Sequence, residues 1–365
     1  MALNPSGAIS LGGSTTGQSI AVELGQSATA TISLNDTNVR TLAQVASGVI
    51  VMPTNFWGKS NGTQKAIFGF GIAVPSGLTS ITNLVSNTGV VSADTPGVGT
   101  ARYLLAAAGY GGDKAIFGYG AQSVAPAVLS MTNLVSNTGV VASDTPGVGT
   151  ARVSLSAAGY GTNKAIFGYG VVPSTGAVSM TNLVSNTGVV SADTPGVGTA
   201  RQNLAAAGYG GDKAIFGYGV IPSPTTPTQS SITNLVSNTG VVASNTPGVG
   251  TARQNLAAAG YGGDKAIFGF GGAGVLLVGN ITNLVSNTGV VASDTPGVGT
   301  AKANLAAAGY GGDKALFGYG ATQYFPTPTR TNNTNLVSNT GVVASDTPGV
   351  GSTRNYHAAA GYSLT

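Results

Sequence analysis

"GYGGDKAIFGYG", residues 109–120, decides how this chain is read. Its glycines surround a lysine, as in a loop that cradles phosphate. Such a loop, however, needs four residues between its glycines, then Gly-Lys-Ser/Thr, between a strand and a helix. "GYGGDK" has neither that spacing nor the hydroxyl residue. The string also recurs. The lysine of "KAIFG" or "KALFG" stands at Lys65, Lys114, Lys164, Lys213, Lys265 and Lys314, a period of 49 to 52 residues. "GGD" between two apolar runs is hairpin chemistry, so the stretch is a turn between two strands and its lysine marks a repeat.

Two further markers share the period. The asparagine of "TNLVSNTGVV" falls at Asn83, Asn133, Asn182, Asn234, Asn283 and Asn335, and "AAGY" ends at Tyr110, Tyr160, Tyr209, Tyr261, Tyr310 and Tyr362. From that asparagine to that tyrosine the distance is 27 residues in every copy, whereas from "FGYG" or "FGFG" to the next asparagine it varies from 12 to 15. One connection per repeat therefore absorbs the length variation. It also absorbs the composition, as "IAVPSGLTSI", "VIPSPTTPTQSSI" and "ATQYFPTPTRTN" illustrate.

Each unit reads as four short strands: "RxNLAAAGY", "KAIFGYG", "ITNLVSN" and "VVASD", with "TPGVGTAR" leading on. Alternation along the second strand puts Ala66, Phe68 and Phe70 on one face, with Ile67, Gly69 and Gly71 on the other. Glycine opposite aromatic rings lets neighbouring sheets approach closely. Four strands per ~40–50 residues is the arithmetic of a β-propeller blade. The first repeat lacks its leading "RxNLAAAGY" strand and the last lacks its following "KAIFGYG" strand. The two deficits are complementary, and an open solenoid would carry polar capping repeats instead. The expected fold is thus all-β, a six-bladed propeller over 64–365, closed by pairing of the C-terminal and first-repeat strands.

The order of elements resembles the kelch repeat, from an arginine-led strand through a hydrophobic strand to a glycine doublet and two outer strands. The arginine stands at Arg102, Arg152, Arg201, Arg253 and Arg354, with Lys302 in one copy. The doublet here is "GYG" or "GFG", and valine stands where the kelch pattern has tryptophan. The resemblance implies that "LAAAGY" is the innermost strand.

Residues 1–63 do not repeat and read as a small mixed β module. "GAISLGG", "SIAVELG" and "ATATISL" look like strands. "NDTNVRTLAQVAS" reads as a short helix capped by Asn35 or Asp36, with Val39 and Leu42 inward. "GVIVMPTNFWGKS" is a further strand carrying Trp57. The run "ELGQSATATISLNDTNVRTLAQVASGVIVMPTNFWGKS" resembles an N-terminal module of tailed-bacteriophage structural proteins. The resemblance implies a virion protein of the tail, fibre or baseplate, held to other virion tail proteins through residues 1–63.

Composition narrows the function. Only 7% of residues are charged, 42% are hydrophobic and 58 of 365 are glycine, which is an ordered, sparsely charged chain rather than a disordered one. The net charge of +4 has no block of like charge, so no nucleic-acid partner is expected. With no cysteine there is no disulfide or zinc-thiolate chemistry. The first residues lack a charged segment followed by an apolar one, so no signal peptide is expected. No apolar run is long enough for a membrane helix.

The lone histidine, His357, is expected to pack or hydrogen-bond. The repeated Asp94, Asp144, Asp193, Asp294 and Asp346 pair with blade arginines or cap turns. A calcium site would need six or more oxygen ligands, and Asn245 replaces the acid in one copy. Asp113, Asp212, Asp264 and Asp313, with Asn163 in one copy, fit hairpin turns. No catalytic residue, metal site or cofactor is expected, and glycan hydrolysis by paired carboxylates finds few acids to use.

Function concentrates on loops held by a rigid scaffold. The contact residues expected there are Leu78, Gln122, Gln229, Leu276, Leu277, Tyr324, Phe325 and Arg330, since aromatic and arginine side chains anchor interfaces. They would meet a host surface glycan or protein. An architectural or decoration role, with the loops contacting other virion subunits, is the alternative, and homo-oligomerisation stays open.

Overall fold

The computed structural model describes residues 3, 8–15, 18–43, 49–52, 64–122, 127–274, 277–324 and 327–362. The chain divides into two compact units, with the boundary between residues 63 and 64.

The first unit is small and its described part is helical rather than stranded. Helix α1 spans Ile20–Glu23, and its N-cap Ser19 accepts a hydrogen bond from the Val22 N–H. Helix α2 spans Thr37–Ala43. Ile20, Val39, Leu42 and Ala43 bury together with Leu3 and Ile9, so the inward face expected for Val39 and Leu42 is present. The Asp36 carbonyl accepts the Arg40 N–H, while its carboxylate accepts the Ser33 N–H instead of helical ones. The strands expected at 7–13, 19–25 and 28–34 are absent among the described residues, where a single parallel bridge joins Ser10 and Ser19. A four-residue apolar run fits a helical turn as well as a strand, and the Ser19 cap decides for the turn. Residues 49–52 are not stranded, and the rest of the expected final strand, Trp57 included, lies outside the described residues.

The second unit is β-rich and built of small antiparallel sheets. Six are equivalent three-stranded sheets, one per repeat. In the second, Ala106–Tyr110 pairs with Lys114–Gly118, which pairs on its other edge with Thr132–Val135. Tyr110 stands opposite Lys114, so Gly111, Gly112 and Asp113 form the turn. Both glycines have left-handed φ, 67° and 82°, which a side chain would strain. The first repeat borrows its strand from the far end of the chain. Ala358–Tyr362 pairs with Lys65–Gly69, from Lys65 opposite Tyr362 to Gly69 opposite Ala358.

The fourth strand of each unit is reduced to single bridges, such as Thr132 with Thr145 and Val135 with Val141. Side chains take over the ladder. Asn133 Nδ2 donates to the Ala142 carbonyl at 3.0 Å and to Asp144 Oδ1 at 2.9 Å, tying down a segment that proline keeps from regular pairing.

Phe70 is not on the face of Phe68. Ala66 and Phe68 pack with Tyr319 and Leu316, whereas Phe70 packs with Ile67, Leu105 and Phe117. Phe70 has φ 66°, a left-handed residue that ends the strand after Gly69 and reverses the alternation. Tyr119, Tyr169, Tyr218, Phe270 and Tyr319 repeat that conformation. The role expected of the strand glycines holds, since a Cβ at Gly69 would stand 2.9 Å from the Phe117 ring of the next sheet.

Each leading cation lies on the aromatic ring of the preceding repeat. The Arg102 guanidinium sits 4.5 Å above the Phe70 ring, fully buried. Its Nε donates to the Tyr119 carbonyl at 2.9 Å and its Nη2 to Asn133 Oδ1 at 2.6 Å. Burial, opposed by the charge of Asp144, pushes its pKa down to about 10, so it stays a cation at neutral pH. Arg354 repeats the stack on Tyr319 at 4.4 Å. A buried cation over a ring is worth roughly 2 kcal/mol.

Candidate functional site

The variable connections gather at one end of the second unit. Most form small hairpins, such as Ile72–Ala73 with Gly77–Leu78, Val220–Ile221 with Thr228–Gln229, and Ala321–Gln323 with Thr329–Arg330. Beneath them the residue two places after each leading cation is left-handed, with φ between 53° and 56° at Leu104, Ser154, Asn203, Asn255, Asn304 and Tyr356. That conformation turns each N–H toward its neighbour. Ser154 donates to Leu104, Asn203 to Ser154, Asn255 to Asn203, Asn304 to Asn255, Tyr356 to Asn304 and Leu104 to Tyr356, at 2.9 to 3.0 Å. The six bonds form a cycle around a cavity of about 120 Å³, lined by these residues and by the leucine and alanine rows below them.

The sequence-expected contact residues divide between places. Leu78 lies half-buried opposite Ile72, whose other neighbour is Asn355. Arg330 Nε donates to Asn355 Oδ1 at 2.9 Å. The Tyr324 hydroxyl hydrogen-bonds the Asn304 amide. Arg330, and Leu78 by way of Ile72, thus meet at Asn355 of the closing strand Arg354–Asn355, while Tyr324 reaches Asn304, whose carbonyl accepts the Tyr356 N–H. Gln122, held by its N–H to the Ala127 carbonyl at 3.2 Å, Gln229, opposite Val220, and Leu277, 58% exposed, sit on separate connections. Leu276 and Phe325 lie outside the described residues.

Four residues that sequence reasoning missed complete the cluster: Tyr103, Asn304, Asn355 and Tyr356. The Tyr103 and Tyr356 rings meet edge-on with centroids 6.1 Å apart. For Tyr356 the available signal was departure from the repeat, since Asn203, Asn255 and Asn304 share its position, whereas Asn304 follows the repeat and carries no such signal. Burial raises the Tyr324 hydroxyl above its ordinary value of 10, and the nearby Tyr356 adds to the shift. Burial also raises Tyr356, against the opposing influence of the Asn304 hydrogen bond and the Arg330 charge. Both phenols are neutral at physiological pH. The cluster offers ring faces, amides and one guanidinium, a set suited to binding by stacking and hydrogen bonding.

His357 takes the place of a leucine that the other five repeats carry. It is buried between the Phe68 and Tyr319 rings, at centroid distances of 5.7 and 5.3 Å. Burial, aided by the Arg354 charge, depresses its pKa well below 6.5. It packs there, as expected.

The repeated aspartates occupy structural positions. Asp144 accepts from the Thr100 N–H at 3.0 Å and from the Thr100 hydroxyl at 2.6 Å. Asn245 does the same work as an amide, accepting the Thr199 N–H at 3.1 Å and donating to its hydroxyl at 2.7 Å. Among the described residues, no group of three or more His, Cys, Asp or Glu could hold a metal ion. No helix among them is long and apolar enough to cross a membrane. No protein-family model and no curated protein sequence matches the chain.

Proposed function

We propose that this chain is a tailed-bacteriophage virion protein of the tail, fibre or baseplate region, with a six-bladed, kelch-like β-propeller that binds a host surface molecule. Residues 1–63 attach it to other tail proteins, and the loop end of the propeller meets the host. Closure of the ring is supported by the cycle of six backbone hydrogen bonds and by the pairing of Lys65–Gly69 with Ala358–Tyr362. The observation that carries the binding role is the convergence of Tyr103, Tyr324, Arg330 and Tyr356, all departures from the repeat, on a scaffold that otherwise hardly varies. The chain is read as a binding protein and not an enzyme, because its repeated acids cap connections between sheets.

Labelled full-length protein should bind intact cells of the host that the particle infects, and the double variant Y324A/R330A should lose that binding while remaining folded. If the wild-type chain ignores host cells and labelling finds the loops covered by neighbouring subunits on the particle, the architectural reading replaces this one.

A further inference from the structure

The opposite end of the second unit carries a second feature that neither the loops nor the packing uses. The "GGDK" turns surround a cavity of about 310 Å³, at the small end of the range for ligand pockets. Lys114, Lys164, Lys213, Lys265 and Lys314 all line it, and Asp264 is the sole carboxylate among the lining residues. An aspartate precedes four of these lysines and pairs with each through one oxygen. Asp212 accepts from Lys213 Nζ at 2.9 Å through one oxygen, and from Asn238 Nδ2 of the same repeat at 3.0 Å through the other. Asp264 is engaged in the same manner by Lys265 at 3.0 Å and Asn287 at 3.1 Å. In the third repeat Asn163 stands where the acid would be, so Lys164 has no acidic residue before it.

The result is five lysines from five repeats around one cavity, four of them paired with the acid that precedes them. Lysines outnumber carboxylates five to one in its described lining, and a concave site with an excess of one sign of charge focuses its field on the opening. The lysines are 41–45% exposed where they are ion-paired, and exposed pairs are worth at most about 1 kcal/mol, so an incoming anion can draw the amines inward at little cost. Lysine is a point-charge partner for phosphate, whereas arginine serves planar bidentate recognition, and no arginine is among the described residues that line this cavity.

We infer that this mouth is a binding site for a compact multivalent phosphate, whose several charged groups each meet lysines from different repeats. The phosphate belongs either to a soluble polyphosphate or to a phosphorylated lipid headgroup. The site is independent of the loop end, and its failure would leave the host-binding reading standing.

Titration calorimetry of the full chain with sodium tripolyphosphate at low ionic strength tests it. The expected result is saturable binding of one tripolyphosphate per chain, at least about tenfold tighter than orthophosphate and weakened as salt screens the ring. The double variant K164Q/K265Q should weaken binding about tenfold with an unchanged melting temperature. D264N, which removes the lining carboxylate, should tighten it. Co-sedimentation with phosphatidylcholine vesicles containing phosphatidic acid assigns the source: binding lost in K164Q/K265Q points to a headgroup, and no binding points to the soluble anion. Absence of saturable tripolyphosphate binding, or binding indifferent to both K164Q/K265Q and D264N, overturns the inference.

Discussion

Ser352 and Asp94, 258 residues apart in sequence, are joined as if they were neighbours. The Ser352 N–H donates to Asp94 Oδ2 at 3.0 Å and the Ser352 hydroxyl to the same oxygen at 2.6 Å. Thr100 with Asp144 and Thr150 with Asp193 make the same pair of bonds between consecutive repeats. The link between the two ends of the repeat region thus copies the internal links.

Removing that carboxylate tests its weight. D94A should destabilise the protein by about 1–3 kcal/mol, because it leaves an N–H and a hydroxyl without their acceptor. D94N should cost less, since Asn245 already fills the equivalent place. Asp94 is partly desolvated, which raises its pKa, yet the bonds from Ser352 and Asn83 outweigh this and lower it below 3.8. A depressed carboxylate stabilises the fold above its unfolded pKa, and that contribution is lost as pH falls through the folded value. Asp144, Asp193, Asp294 and Asp346 are shifted the same way, so urea midpoints should drop steeply below about pH 4. A midpoint for D94A equal to that of wild type would refute the closing role.

His357 should be a weakness of the closing sheet. Restoring the repeat's leucine in H357L should raise stability by about 1–2 kcal/mol, because it replaces buried polar nitrogens between two rings by an apolar side chain. The histidine is neutral when folded and protonates when unfolded, so its contribution is full above 6.5 and declines as pH falls below that. Thermal unfolding from pH 7.5 to 5 should show a loss in wild type that H357L lacks. Parallel curves would disprove the assignment.

Lys302 should be replaceable to advantage. It is fully buried, with Nζ 5.1 Å from the Phe270 centroid and donating to the Asn333 carbonyl at 3.1 Å. Asn335 Oδ1, the counterpart of the atom that Arg102 reaches at 2.6 Å in its own repeat, has no partner. K302R supplies that donor and should add about 1 kcal/mol. Burial, opposed by the charge of Asp346, pushes the Lys302 pKa down to about 8. Wild type should therefore gain stability between pH 7.5 and 9.5, where the unfolded chain holds the extra proton. K302R should not, and equal gains in both proteins would contradict this account.

Gly118→Ala should cost about 1–3 kcal/mol by overpacking. Its Cβ would stand 2.7 Å from Phe167 Cζ and 3.2 Å from Thr132 Cγ2. Gly112→Ala is the contrast, since nothing lies within 4 Å of its Cβ and only its φ of +82° opposes the change. It should cost about 1 kcal/mol. Equal destabilisation of the two, measured by urea unfolding, would show that sheet spacing does not set the glycine requirement.

What the sequence determined by itself was whatever rests on neighbours in the chain. The period of Lys65 to Lys314, the turns at "GGD", the strands Lys114–Gly118 and Thr132–Val135 and the helix around Val39 and Leu42 follow from turn chemistry and apolar spacing. The joining of the first and last strands also followed, because each end lacked what the other supplied. Only the tertiary structure decided the side on which Phe70 packs, since one left-handed residue reverses the alternation and no local pattern announces it. It likewise decided that the fourth strand gives way to an asparagine ladder, and that Ser19 caps a turn of helix. The loop-end cluster was half legible. Tyr324 and Arg330 stand out in a variable loop, whereas Tyr103 and Tyr356 meet only because the two ends of the repeat region are brought together. The lysine ring was visible as a period, but its meaning depends on side-chain direction. That lysines from five repeats line one cavity follows from how the sheets pack side by side, which the period alone does not state.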